Sequence, residues 1–145
     1  MRTTWMLVAV LGLATVVARG GEVYTSLFSD KAVGGYDAVS FFEGRPVKGR
    51  ADTALRHKGA VWLFASEQNR AAFLREPERY EPQYGGYCAW AAAQGERAPG
   101  DPEHGRIVEG RLYLNYSAKV QRDWERDIPG FIRKADANWP RLRAE

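Results

Sequence analysis

Ala60-Val61-Trp62-Leu63-Phe64-Ala65-Ser66-Glu67-Gln68-Asn69-Arg70-Ala71-Ala72-Phe73-Leu74-Arg75-Glu76-Pro77 is the stretch whose reading decides the fold. Its first six residues form an apolar, β-rich run set off by the Lys58-Gly59 turn. Ser66 offers a hydroxyl to cap a helix, and Glu67 places negative charge in the first helical turn. Ala71, Ala72, Phe73 and Leu74 gather on its expected inner face, and Pro77 is expected to end it. A strand feeding straight into a helix over 60–76 points to a mixed chain.

Downstream, Tyr84-Gly85-Gly86-Tyr87-Cys88 precedes an alanine-rich run that favours a helix after a tight glycine turn. Ala98–Pro102 reads as a loop. Residues 106–108 and 111–115, joined by Glu109-Gly110, form a two-residue hairpin. Ser117 caps a helix running to about Asp127, and Pro129 suits the first turn of a last helix. Phe131, Ile132, Ala135 and Trp139 form its apolar stripe. Upstream, Gly34-Gly35 marks a turn, and Tyr36–Phe42 is expected to be a short strand. No internal repeat, low-complexity tract or linker is read. The expectation is one small α+β domain with a few short antiparallel strands and about four helices.

The chain has 145 residues with 21 Lys and Arg, 18 Asp and Glu, and one Cys. Apolar residues make up 45%, enough for a packed core, which excludes wholesale disorder. One cysteine excludes a disulfide framework and an all-cysteine zinc site within the chain. Without residues 1–20, which hold Arg2 and Arg19, 19 basic residues face 18 acidic ones. Such a balance argues against nucleic acid as a partner. Arg2 followed by the uncharged segment Thr3–Ala18 reads as an export signal over residues 1–20. Its apolar core, Trp5–Val17, falls short of the ~20 residues of a spanning helix. An uncleaved membrane anchor is the alternative and would be the chain's only membrane contact. The expected location is periplasmic or secreted, with residues 21–145 as the mature domain.

The ordered motifs Gly35-Tyr36-Asp37-Ala38-Val39-Ser40-Phe41-Phe42, Trp62–Ser66, Asn69-Arg70, Phe73, Pro77 and Tyr80 resemble the YHS domain. Tyr84–Ala89, Ala98–Pro102 with Asp101, Leu112–Tyr116 and Ala135–Pro140 are similar to the exported bacterial YHS-domain (seleno)proteins. The resemblance runs from about Ala32 to Pro140. It implies a small α+β domain with a C-terminal helical extension, and a loose association with metal handling. In metal-type YHS domains, cysteines stand where this chain has Ser40, Ala65 and Asn69. Hydroxyl, methyl and amide groups are poor ligands for soft metals, so the usual metal site is not expected. Some relatives resemble this chain with selenocysteine at the place of Cys88, which gives that position chemical interest.

Cys88 is thus the candidate nucleophile, redox thiol or metal ligand. Placed in a first helical turn, its thiolate would be favoured by unpaired backbone N–H groups. The alternative is a small, buried apolar residue. His57 and His104 are the other available soft ligands, each also readable as a solvated loop histidine. Gly35, Tyr36, Asp37, Tyr84, Gly85, Gly86, Tyr87 and Asp101 are read as structural motif residues, with both aspartates accepting backbone N–H bonds in turns. The leading expectation is a non-enzymatic metal- or redox-associated binding module centred on Cys88. A thiol- or peroxide-reactive enzyme using Cys88 as nucleophile and a purely structural interaction domain are the rivals. A soft metal such as copper is compatible, no cofactor is required, and the partner would be an unidentified protein or a metal ion.

Overall fold

The computed structural model describes residues 21–145, so the segment read as an export signal lies outside the described residues. The deciding stretch folds as its local chemistry dictates. Strands β1 (Arg50–His57) and β2 (Ala60–Phe64) pair antiparallel. Lys58 and Gly59 both have positive φ (49° and 75°), the backbone twist a two-residue hairpin needs. Helix α1 (Glu67–Arg75) starts where Ser66 Oγ accepts the Asn69 N–H at 3.1 Å. Phe73 is its buried residue and Leu74 points outward, which narrows the expected inner face. Pro77 opens the short helix α2 (Pro77–Tyr80) instead of merely ending α1, because a missing N–H costs nothing at a first helical position.

The same order then recurs. A turn at Gln83–Gly86 leads to α3 (Ala89–Ala93), strands β3 (Asp101–Val108) and β4 (Arg111–Asn115), and helix α4 (Ala118–Glu125). The long helix α5 (Ile128–Ala144) follows. Asp101 and Pro102 belong to β3, not to a loop; proline is tolerated at a strand's beginning. No helix among the described residues is long and apolar enough to cross a membrane.

Contrary to the expectation of no repeat, residues 32–80 and 83–131 are two copies of one backbone plan at a constant offset of 51 positions. Val33 and Tyr84, Gly34 and Gly85, Gly35 and Gly86, Lys58 and Glu109, and Gly59 and Gly110 share positive φ pair by pair. Bridges Lys31–Val61 and Tyr36–Lys48 return as Pro82–Leu112 and Tyr87–Pro99. Both hairpins slip register at the same place, between Arg50 and Ala54 and between Asp101 and Gly105. The Ser66 cap returns as Ser117, whose Oγ accepts the Val120 N–H. Side chains have diverged so far that little beyond Gly-Gly-Tyr-x-Ala remains of the repeat in the sequence.

Residues 32–35 form the turn expected at Gly34-Gly35, and 38–43 form a 3-10 turn in place of the strand expected over Tyr36–Phe42. Asp37 takes the Val39 and Ser40 N–H groups onto its carboxyl, and such local bonding competes with a sheet ladder.

Two apolar clusters make up the core. One gathers Val33, Val39, Phe41, Trp62, Phe64 and Phe73, and the other gathers Tyr84, Ala89, Tyr113, Trp124, Ala135 and Leu142. Strand β4 stands between them: alternation sends Leu112 and Leu114 into the first and Tyr113 into the second. Helix α5 closes the second unit. Its Asn138 Nδ2 donates to the Ala92 carbonyl at 3.0 Å and Arg141 Nη2 to the Gly95 carbonyl at 3.1 Å, satisfying the end of α3.

Candidate functional site

Asp37 is wholly buried at the start of the first unit and ties three segments together. Its Oδ1 accepts from Val39 N at 2.9 Å and Ser40 N at 3.3 Å. Its Oδ2 accepts from Ala65 N at 2.9 Å and Asn69 Nδ2 at 2.7 Å. Ser40 Oγ donates to the Asp37 carbonyl at 2.6 Å and accepts from Val47 N at 3.0 Å. A buried carboxyl with this many donors is a structural joint.

Cys88 stands at the equivalent place of the second unit, 51 positions on. It is the residue before α3, not within its first turn, and is 1% exposed. The backbone N–H groups of Ala91, Tyr116 and Trp90 lie near the sulfur and act to favour its thiolate. These are the counterparts of Ser40, Ala65 and Val39, three of the donors around Asp37. The sulfur also donates to Asn115 Oδ1 at 3.6 Å, and the same oxygen accepts from Trp90 N at 3.1 Å. Burial pushes the thiol above its ordinary value, while the backbone donors pull the other way. Desolvation prevails, so the helix-terminus effect expected from sequence does not produce a low-lying thiol.

Asn115 lies within the Leu112–Tyr116 motif, but nothing in the sequence marks it as a partner of Cys88. It is fully buried at the end of β4, where the first unit has Phe64, and its Nδ2 has no hydrogen-bond partner. The Trp90 N–H fixes the amide orientation, because the flipped amide would set donor against donor.

His57 ends β1 and is half-buried, in contrast to a solvated loop histidine. Its Nε2 bonds Glu81 Oε1, and its ring packs edge-on against Phe73 and against Trp62. Glu81 also takes Lys58 Nζ at 3.0 Å, so its charge is engaged within the first unit. His104 lies on β3, at the position that Thr53 holds in the first copy. The hydrogen-bond and ring partners of His57 are all different from those of Cys88. Among the described residues, no group of three or more His, Cys, Asp or Glu is placed to hold a metal ion.

The remaining motif residues do architectural work. Gly35 O accepts from Gly49 N at 2.9 Å, Tyr36 pairs with Lys48, and Tyr36 packs on Phe41. Gly86 repeats Gly35 in positive φ, and Gly85 O takes the Tyr24 N–H at 2.8 Å. Tyr84 Oη donates to Asp136 Oδ1 and Tyr87 Oη to the Gly21 carbonyl, both at 2.9 Å. Asp101 Oδ1 accepts from Glu103 N at 2.8 Å.

The model of the YHS domain family matches residues 38–84, from just after Asp37 to the opening of the second copy. A YHS domain is present here. No curated protein and no solved structure matches the chain. The matched YHS unit lacks the donor set of a soft-metal site. At Ser40, Ala65 and Asn69, where the resemblance places the thiolates of metal-type YHS domains, only Asn69 bonds the Asp37 carboxyl through its side chain, while Ser40 and Ala65 reach it through backbone N–H groups. The Asp37 carboxyl and its donors join these segments, and a hydroxyl, a methyl and an amide do not fit a thiolate-held ion.

Proposed function

We propose that the chain is an exported, non-enzymatic YHS-domain protein acting as a redox-associated binding module centred on Cys88. The observation that carries this is the seat of the sulfur, among backbone N–H groups equivalent to those that hold the Asp37 carboxyl. Metal ligation by Cys88 with His57 or His104 is the less favoured form of the reading, since among the described residues no group of three or more His, Cys, Asp or Glu is placed to hold an ion, and His57 is bonded to Glu81. Export to the periplasm or beyond is supported by Arg2 and the uncharged segment Thr3–Ala18. Residues 21–145 would be the mature unit, with α5 as its C-terminal extension.

The rival is a structural domain in which Cys88 is core, favoured by its 1% exposure. Iodoacetamide reaction of the folded full chain separates the two. The redox reading expects alkylation through local opening, slower at neutral pH than for a free thiol but faster than global unfolding. A rate equal to the unfolding rate would leave Cys88 as core.

A further inference from the structure

The segment leading into the first unit carries an apolar pair where the fold asks for none. Ser29 N donates to the Ser26 carbonyl at 3.0 Å, closing a turn whose two corner residues are Leu27 and Phe28. Corners of such turns favour Gly, Pro, Asn, Asp and Ser. Leu27 is 88% exposed and Phe28 95%, so neither side chain serves the core. The offset of 51 positions matches the bridge Lys31–Val61 to the bridge Pro82–Leu112. At that offset the residues leading into the second unit are Glu78 and Arg79, both charged and both exposed. The plan thus accepts charges at this place, and the apolar pair answers to something outside the molecule.

The turn stands on a fixed base. Tyr24 N donates to the Gly85 carbonyl and Val61 N to the Asp30 carbonyl, both at 2.8 Å. Lys31 N donates to Ser29 Oγ at 3.1 Å. Binding through Leu27 and Phe28 therefore orders little backbone. Tyr24, Lys31, Asp101 and Tyr116 share a hollow with Ser26 and Ser29, and Tyr116 is itself exposed. The charges here balance, because Lys31 faces the same hollow as Asp101, and Arg56 pairs with Asp30 at 3.5 Å.

We propose that the Leu27–Phe28 turn is a docking tip that enters the interfacial layer of a phospholipid bilayer. The two apolar side chains reach the acyl boundary, Tyr24 and Tyr116 sit at headgroup level, and the Lys31 stem reaches toward the phosphates. A bilayer suits this shape better than a protein does: a stable protein interface needs a broad complementary face, and here two side chains project almost fully into solvent. The same end of the chain carries the apolar run Trp5–Val17, which ends ten positions before Leu27, so at most ~35 Å of chain separates the two. The tip is a contact of the folded domain and adds to any anchoring by residues 1–20. Because the nearby charges balance, apolar burial drives the contact and salt screens it little. The redox reading of Cys88 is not involved, so each stands or falls alone.

The full chain tests this with a polarity-sensitive dye on Ser26→Cys, which is exposed beside the tip and leaves Leu27 and Phe28 in place. A dye on Leu74→Cys, exposed on α1, serves as comparison, and the unsubstituted chain treated in parallel gives the Cys88 background. Vesicles of phosphatidylcholine, with and without phosphatidylglycerol, are added. The dye at position 26 should shift to the blue and be quenched by nitroxide lipids on both kinds of vesicle, at low and at high salt. The dye at position 74 should do neither. Leu27→Ser with Phe28→Ser should bring the response at position 26 down to that at position 74 and leave the melting temperature unchanged. No response at position 26, or an equal one in the double serine variant, overturns the proposal. So does a response confined to phosphatidylglycerol and abolished by salt, which marks charge as the driving force. A blue shift already present without vesicles also overturns it, since residues 1–20 or a second molecule of this chain then covers the tip.

Discussion

Replacing Asp37 by alanine should be among the most damaging single changes in the first unit. The substitution strips the acceptor from Val39 N, Ser40 N, Ala65 N and Asn69 Nδ2 at once. Loss of the two local bonds is loss of a turn cap, which costs about 1 kcal/mol. Ala65 N is left as a half-buried donor without a partner, at about 1–3 kcal/mol. Asn69 is part-buried and can turn its amide outward, so its loss lies at the low end, roughly 0.5–1 kcal/mol. The total is about 2.5–5 kcal/mol, against the ~5–15 kcal/mol that holds a typical domain. Asp37→Asn should keep the Oδ1 cap but present an NH₂ to Ala65 N and Asn69 Nδ2, losing the long-range half alone. Urea unfolding of the variants, followed by tryptophan fluorescence, reads the midpoint shift. An Asp37→Ala cost below about 1 kcal/mol would refute the view that this carboxyl is the joint of the unit.

Two further outcomes follow from the same geometry. Gly44→Ala at φ 77°, with nothing within 4 Å of the new Cβ, should cost only the left-handed penalty of about 1–2 kcal/mol. Gly85→Ala at φ 63° places Cβ 1.8 Å from the Glu22 carbonyl oxygen, so it should cost clearly more and release Glu22–Tyr24; equal melting temperatures would contradict this. Alkaline pH should destabilise the chain, because burial raises both the Cys88 thiol and the Tyr84 hydroxyl. The unfolded chain then releases protons that the folded chain keeps, so stability is full below about pH 8 and declines as pH climbs past the ordinary thiol and phenol values of roughly 8.5 and 10. Melting curves from neutral to strongly alkaline pH check this, and Tyr84→Phe should flatten the upper part of the decline.

Much of the scaffold was legible because its signals are local. The Ser66 cap, the Glu109-Gly110 hairpin, the Ser117 cap and the α5 start each depend on neighbours within a few residues, and each forms where its chemistry places it. Strand β1 went unread because Arg50–His57 is largely polar and half exposed, without the alternation that marks a half-buried strand. The repeat escaped because it survives in backbone φ signs and bridges more than in side chains: a valine and a tyrosine, or a lysine and a glutamate, share a positive φ at equivalent places. His57 met Glu81, 24 residues away, which no spacing rule connects.

The sequence by itself determined the class of the molecule: α+β, built on short hairpins, with one thiol and the residues of a YHS unit. Only the tertiary structure decided the state of that thiol. Local chemistry placed Cys88 beside a helix start, where a lowered pKa is expected. Asn115, 27 residues further on, closes over it, and Asn69, 32 residues beyond Asp37, completes the matching joint in the first unit. The ionisation of a thiol is set by everything within reach of its sulfur, and chain folding, not chain order, chooses those groups.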